Sequence, residues 1–279
     1  GAEAQHDSLN AVLGCRPSLR KDARFYILFG DEHKYTDGTR SGEAAFRCSE
    51  LRYLDPSKPL DGGMDFGNMN SLVTGQEHPG LIRILKSFYT LSPETIRDLA
   101  DDFLDFYAQH PVKVLRLWYD RAGNAYQKQG EDKARQIKEA IEKDATGKRT
   151  GWSVELMSRK QSIILMQDEY DFMHAMMKGD NPRLPRLLID AANCSELVSS
   201  LEGARAGIKY KGDTKVIYKI KKGEKLALKK LPRLSTNLSD AFKYFCMRSE
   251  WRKAVKAPAP TPAVDSSMVD DWFKQRKNR

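Results

Sequence analysis

The spacing of apolar positions becomes regular at Gly63 and stays regular to the last predicted helix. Segments 63–66, 70–74 and 81–91 are short and mostly apolar, and His78-Pro79-Gly80 supplies a turn between the second and the third. Short apolar runs separated by turn residues are typical of strands. The pattern therefore predicts a three-stranded antiparallel meander at the start of the regular region.

Helical and strand spacing alternate beyond the meander. Ser92 as an N-cap, followed by Pro93 and Glu94, predicts a helix start. Strands are predicted at 114–119, 152–157 and 186–189, helices at 131–143, 163–177, 195–205 and 237–253, and a twisted hairpin at 209–230. We place the hairpin turn at Lys222-Gly223 and the N-cap of the last helix at Asn237 or Ser239. This order predicts an α/β fold, a mixed sheet with helices on both faces and an added β-hairpin.

Composition shifts divide the chain into three expected parts. Residues 1–62 are turn-rich, with one plausible strand at 23–29, and suggest a connector from an upstream domain. Residues 63–256 form the predicted domain, and residues 257–279 are a tail that begins with a proline and alanine linker. In the tail, Met268, Val269, Trp272 and Phe273 would share one face of a short helix that folds on a partner. Because the first Met is Met64, we expect a fragment of a longer protein.

The overall composition is that of a globular protein, with 40% hydrophobic and 30% charged residues. No apolar run approaches the roughly 18–20 residues of a membrane span, so an integral membrane protein is not expected. The four cysteines form no C-x-x-C pair, which argues against a disulfide scaffold or a structural zinc site. A reducing, cytoplasmic location is therefore expected.

The net charge of +9 is concentrated in one segment. Between Arg205 and Arg233 there are eleven basic residues and only two acidic ones, and elsewhere the charges cancel. Such a local excess predicts a site for a polyanion, although a solvated lysine-rich surface is the simpler alternative. The candidate DNA contacts are Lys209, Lys211, Lys215, Lys219, Lys221, Lys222 and Lys225.

Acidic residues at element ends carry the remaining candidate chemistry, because the chain has no phosphate-binding glycine loop, no G-x-S-x-G and no H-E-x-x-H. Asp65 lies in the first predicted strand, Asp120 ends the fourth, and Asp240 opens the last helix. Three converging carboxylates would repel one another by about 1 to 4 kcal/mol per pair at a separation of about 4 Å. A divalent cation reverses that sign, and oxygen ligands favour Mg²⁺ or Mn²⁺. Taken singly, each acid could instead cap a turn or a helix.

Each of the three candidate acids lies in a short segment, and the segments follow one another along the chain. They are Gly-Met-Asp-Phe-Gly-Asn at 63–68, Leu-Trp-Tyr-Asp-Arg-Ala-Gly-Asn at 117–124 and Asn-Leu-Ser-Asp-Ala-Phe-Lys-Tyr at 237–244. Over residues 63–255 the chain resembles the C-terminal nuclease domain of the large terminase subunit of tailed bacteriophages. The resemblance implies a ribonuclease H-like fold. It also implies two Mg²⁺ or Mn²⁺ ions held by Asp65, Asp120 and Asp240, with Asp65 bridging both. Asp190, after the strand at 186–189, could be an accessory ligand or a turn cap.

The resemblance further implies an endonuclease that cuts double-stranded DNA during phage genome packaging in the cytoplasm of the bacterial host. Its implied partners are an upstream ATPase domain of the same polypeptide, the portal and the small terminase subunit. Two alternatives stay open. One is a ribonuclease H-like resolvase or transposase with the same acids, and the other is a non-catalytic DNA-binding or capsid-assembly module.

Overall fold

A computed structural model describes residues 23–39, 41–67, 69–120, 132–162, 164–221 and 225–256. The strands are β1 (Lys34–Tyr35), β2 (Leu60–Asp65), β3 (Met69–His78), β4 (Leu81–Leu91), β5 (Val114–Tyr119), β6 (Ser153–Leu156), β7 (Arg186–Asp190), β8 (Ala206–Lys211) and β9 (Thr214–Lys219). The α-helices are α1 (Ile96–Phe106), α2 (Lys133–Glu142), α3 (Met166–Lys178), α4 (Ser195–Gly203), α5 (Leu231–Leu234), α6 (Asn237–Cys246) and α7 (Ser249–Lys256).

The central sheet has seven strands in the order β1-β7-β4-β3-β2-β5-β6. Strand β3 runs antiparallel to both β2 and β4, while β5 and β6 continue the sheet in parallel on the far side of β2. The predicted antiparallel meander and mixed sheet are therefore confirmed. Three antiparallel strands followed by two parallel ones form the centre of the sheet.

Helices cover both faces of the sheet, as the sequence predicted. On one face α1 and α2 pack over Leu60, Met64 and Leu72, together with residues of β4 and β5. On the other face α3, α4 and α6 pack over Met69 and Val73. Neighbouring residues such as Leu72 and Val73 fall in different cores because successive strand side chains point to opposite faces.

The described residues ahead of β2 belong to the same body. Phe25, Tyr26 and Phe29 are buried in the core beneath α3, α4 and α6, and β1 pairs in parallel with β7. Residues 23–29 do not form the predicted strand; Arg24 makes one isolated bridge to Arg205. Aromatic burial, rather than strand pairing, explains the apolar run in this segment.

Two helices begin at residues other than the predicted ones, because a different residue holds the N-cap position in each. Helix α1 begins after Thr95, not at Ser92, because Thr95 accepts from the Arg97 amide while Asp98 accepts from the Thr95 amide. These reciprocal bonds form a capping box. At the start of α6 neither predicted residue is the cap: Thr236 holds that position, and Asn237 donates to Met69 O instead.

The predicted last helix is broken at Arg248, which separates α6 from α7. Its buried guanidinium pairs with Asp61 at 3.0 Å and lies over the ring of Trp118. Holding that side chain between the sheet and two helices redirects the backbone. In the described ranges, no helix has the length and apolar character needed to cross a bilayer.

The hairpin turns earlier than predicted. Strands β8 and β9 pair from Ala206 with Lys219 to Lys211 with Thr214, so the turn is Gly212-Asp213. Gly212 has a φ of +59°, a conformation that glycine adopts without strain. Lys222 and Gly223, which were the predicted turn, lie outside the described residues.

Candidate active site

Asp65 and Asp120 leave two neighbouring parallel strands at the same edge of the sheet. Asp65 is the last residue of β2, and Asp120 directly follows β5. The register pairs Met64 with Tyr119, and the Asp120 amide donates to Met64 O at 3.3 Å. Because the strands are parallel and in register at their ends, the two acids emerge side by side.

Asp240 reaches this edge from the first turn of α6. The helix crosses β2 so closely that a Cβ on Gly63 would lie 2.2 Å from Ala241 O, so only glycine fits there. At the helix start, the Asn237 side chain donates to Met69 O at 3.3 Å and fixes the helix to the β2–β3 connection. Strand β2 and helix α6 therefore bring Asp240 over the end of the strand that carries Asp65.

The three acids interact electrostatically. Burial, and then the charges of Asp240 and Asp120, raise the pKa of Asp65 to about 7, against the partial opposition of Lys243 and Lys221. Desolvation and like charge both favour the protonated carboxyl. The structure thus brings the three predicted site acids within range of one another.

Lysines neutralise Asp240. Its Oδ1 lies 2.6 Å from Lys219 Nζ and 3.0 Å from Lys243 Nζ, and its Oδ2 lies 3.1 Å from Lys221 Nζ. Burial alone would raise the pKa of Asp240, but these ammonium groups outweigh burial and hold it well below its usual range. At an acidic pH Asp240 is therefore already ionised, whereas Asp65 still holds its proton.

Glu169 completes this buried cluster from α3. It lies 3.0 Å from Lys219 and 3.5 Å from Lys243, so two acids share two lysines. Burial tends to lower the pKa of Lys219, yet Asp240 and Glu169 keep it well above its ordinary value. Lys219 also donates to the Tyr26 hydroxyl at 2.8 Å, which ties the cluster to the N-terminal segment.

Glu169 and Lys243 were not among the predicted site residues, although the sequence carries a signal for each. Glu169 stands three and four residues before Phe172 and Met173, on the buried face of α3. Lys243 follows Asp240 by three residues on a helix that is buried almost all round. A charged residue on a buried helix face requires a partner of opposite charge.

The predicted DNA-contacting lysines fall into different environments. Lys209, Lys211, Lys215 and Lys225 are exposed, and Lys221 is 54% exposed beside Asp240. Lys219 corrects the prediction: its side chain is 3% exposed and its ammonium faces Asp240 and Glu169, so a phosphate on the surface cannot contact it. Lys222 lies outside the described residues, as do Asn68 and residues 121–124 of the resemblance motifs.

Asp190 is a turn cap. Its Oδ1 accepts from the amides of Ala192 and Asn193 at 3.1 and 3.0 Å, and its Oδ2 accepts from the Asn193 side chain at 2.8 Å. Strand β7 stands three strands away from β2 in the sheet, which is about 14 Å at normal strand spacing. The position and the satisfied oxygens separate Asp190 from the acidic site.

An open cleft leads to the acids beside Asp120. The cleft is lined by the segment that precedes α3 and by Tyr119, Gln161, Lys243 and Tyr244. Burial raises the pKa of Tyr244 far above its usual value, so its hydroxyl stays protonated and can donate a hydrogen bond. Asp120 is therefore partly accessible to solvent through this cleft.

The donor set fits a hard divalent cation. All three predicted ligands are carboxylates, and the buried Asp240 Oδ2 accepts no hydrogen bond, its contact with Lys221 being an ion pair. Among the described residues, no three His, Cys, Asp or Glu side chains stand close enough to form a ready-made metal site. A bound cation would need the carboxylates drawn closer and Lys221 moved from Oδ2.

No protein-family model and no curated protein matches the chain. Among solved structures, it is similar to the large terminase of a thermophilic bacteriophage in complex with ATP-gamma-S, at 14% identity and a TM-score of 0.45. That likeness covers 81% of this chain and 45% of the other, so the chain spans less than half the length of that terminase.

Two shorter structures are similar as well. One is the g2p (large terminase) nuclease domain from bacteriophage SPP1 with bound Mn, at 14% identity and a TM-score of 0.41, covering 76% of this chain and 94% of that one. The other is the large terminase nuclease from thermophilic phage G20c with bound magnesium, at 13% identity and a TM-score of 0.41, covering 70% and 84%.

Proposed function

We propose that the folded body, residues 63–256 together with the described residues ahead of them, is the nuclease domain of a phage large terminase subunit, a metal-dependent endonuclease that cuts double-stranded DNA during genome packaging. The observation that carries the proposal is the convergence of Asp65, Asp120 and Asp240. They come from two neighbouring parallel strands and a crossing helix, and burial, followed by the charges of Asp240 and Asp120, raises the pKa of Asp65 to about 7. An exposed basic hairpin next to Asp240 supplies the charge for a nucleic-acid backbone.

The three acids share one task in this proposal. Asp65, Asp120 and Asp240 would together hold two Mg²⁺ or Mn²⁺ ions. When bound, such ions activate a water and stabilise the leaving oxygen of an in-line displacement at phosphorus. Lys219 and Lys243 keep Asp240 ionised and fixed, and Glu169 holds those lysines in place. Residues of the cleft beside Asp120 would position the DNA strand.

The wider setting follows from the same proposal. An ATPase domain preceding this chain would drive DNA translocation in the host cytoplasm. The portal and the small terminase subunit would direct the DNA to the nuclease. The connection to that ATPase domain would come from residues 1–62, although residues 23–39 and 41–62 also contribute to the folded body.

Plasmid nicking in a titration of Mg²⁺ or Mn²⁺ tests the proposal. The chain should nick supercoiled plasmid only with added metal, and Asp65→Asn or Asp120→Asn should lower the rate by about 100-fold or more, since metal catalysis is worth several kcal/mol. Asp180→Asn is the control, because this acid is exposed beside Lys178 and outside the site, and it should keep the rate. A melting temperature that rises with Mn²⁺ in the wild type but not in Asp65→Asn reports metal binding without activity.

One observation favours a second candidate, a non-catalytic DNA-binding module. Three lysines already surround Asp240, and such pairing is what a structural acid requires. This module would bind plasmid without nicking it at any Mn²⁺ concentration, and Mn²⁺ would leave its melting temperature unchanged. Cutting confined to four-way junctions would instead indicate a resolvase.

A further inference from the structure

The two faces of the β8–β9 ribbon, which we define as Ala206–Lys211 and Thr214–Lys219, are not equivalent. Directly paired residues point to the same side of a ribbon. One face of the ribbon therefore carries three of these pairs: Ala206 with Lys219, Ile208 with Ile217, and Tyr210 with Lys215. At the base of this face Lys219 contacts Asp240 at 2.6 Å, so the face continues from the acidic site toward the ribbon tip.

Large apolar side chains are exposed on this site-directed face. Ile208 is 55% exposed and Tyr210 is 72% exposed, both on the outer half of β8. Lys215, opposite Tyr210, is exposed too, while Lys209 and Lys211 stand on the other face. Phosphate contacts use the lysines, so the apolar pair beside them is free to contact a different surface of the same partner.

We propose that the ribbon enters the major groove of the duplex held at the acids, with Tyr210 and Ile208 against base edges. The inference rests on the proposed function, because the duplex must lie across Asp65, Asp120 and Asp240. The major groove admits a two-stranded ribbon, and thymine methyl groups offer apolar contact there. Six residues per strand give a length of about 20 Å, enough to follow the groove. The exposed lysines then flank the phosphates on both sides.

Groove insertion and phosphate binding differ in their salt dependence. Lysine contacts displace counterions and set the slope of log K against log salt, whereas apolar contacts shift affinity equally at all salt concentrations. Binding of a metal-free duplex in EDTA, across a salt series, separates the two. EDTA also prevents cleavage from contributing to the measurement.

The double variant Ile208→Ser with Tyr210→Ser should bind the duplex about tenfold or more weakly at every salt concentration, with the wild-type slope. Lys215→Ala should instead lower the slope by about 0.9. Phe46→Ser is the matched control, because Phe46 is 83% exposed outside the ribbon and its loss should leave binding unchanged. Wild-type affinity in the double variant would overturn the inference.

Dimethyl sulfate footprinting locates the groove, because it methylates guanine N7 in the major groove and adenine N3 in the minor groove. Protection of guanine N7 that disappears in the double variant supports major-groove insertion. Protection confined to adenine N3, or unchanged in the variant, overturns it. A wild-type chain that shows this footprint but never nicks DNA would reject the nuclease function and retain the ribbon inference. Nicking by the wild type together with full duplex affinity in the double variant would support the nuclease function and overturn the ribbon inference.

Discussion

At the scale of single residues, the site contains acids that repel one another and lysines that neutralise mainly one of them. Asp240 has three ammonium groups within 3.1 Å, while Asp65 has a pKa raised to about 7. Removing Asp65 should therefore relieve repulsion without loss of stability, whereas removing Asp240 should leave buried cations without their partner.

Asp65→Asn should stabilise the metal-free chain at high pH. Folded Asp65 holds its proton up to about pH 7, whereas an unfolded aspartate loses its proton near pH 4. Between those values the folded state binds more protons, so stability falls as the pH rises. The variant should exceed the wild type by as much as roughly 4 kcal/mol in free energy of unfolding at pH 8. The difference should vanish near pH 4.

Urea unfolding at the two pH values measures this difference. The control is Asp180→Asn, at an exposed acid beside Lys178, and it should change the free energy of unfolding equally at both pH values. An equal effect of Asp65→Asn at pH 4 and pH 8 would mean that Asp65 ionises normally in the folded chain.

Asp240→Asn should destabilise the chain at neutral pH by about 3–5 kcal/mol, because removing one partner of a buried ion pair leaves uncompensated charge. Lys219 and Lys243 would then share Glu169 alone. Adding Lys219→Met to Asp240→Asn should recover part of the lost stability. If the two substitutions destabilise additively in a double-mutant cycle, the lysine pairing does not hold Asp240.

At the scale of elements, the site depends on how closely α6 approaches β2. Gly63 is the contact point, with Ala241 O and Phe245 where a Cβ would be. Arg248 fixes the other end of the helix by joining Asp61 of β2 to Glu77 of β3, with Oδ2 and Oε2 at 3.0 and 3.3 Å. The helix therefore packs directly on the strand that carries Asp65, and Arg248, just beyond its end, joins it to that strand and to β3.

Gly63→Ala should separate α6 from β2 and move Asp240 away from Asp65. We expect nicking to be lost and stability to fall by about 1–3 kcal/mol, as for other overpacked cores. Gly62→Ala is the matched control on the opposite face, where the new methyl would meet only leucine side-chain atoms at 3.1–3.3 Å. It should retain nicking. Full activity in Gly63→Ala would show that the spacing of helix and strand does not set the site.

At the scale of the whole molecule, the folded body extends to α7, where Trp251 is buried in the core. Residues 257–279, including Met268, Val269, Trp272 and Phe273, lie outside the described residues, and their partner-binding role stays a prediction. Deleting them should leave the melting temperature and plasmid nicking unchanged, because no described core residue is removed. A deletion that abolishes nicking would place the tail in the nuclease fold.

The sequence by itself determined the local features of the protein. Periodicity predicted 81–91 and 114–119 as strands with the observed bounds, and element order predicted a mixed sheet with helices on both faces. The sequence also indicated Asp65, Asp120 and Asp240, because the position of an acid at the end of an apolar strand or helix can be read from the sequence alone. These features depend on residues close together in the chain, so local propensity and burial are enough to predict them.

Only the tertiary structure decided which charges meet. Lys219 was predicted to contact DNA with its neighbours, yet the ribbon directs it into the core toward Asp240 and Glu169, which precedes it by fifty residues. The break at Arg248 likewise depends on Asp61, far away in sequence. Partners of buried charges come from whichever elements pack across them, because desolvation makes an unpaired charge costly wherever its partner lies in the chain. That long-range requirement leaves no periodic pattern in the sequence, and the packing of α3, α6 and the ribbon on the sheet supplies it.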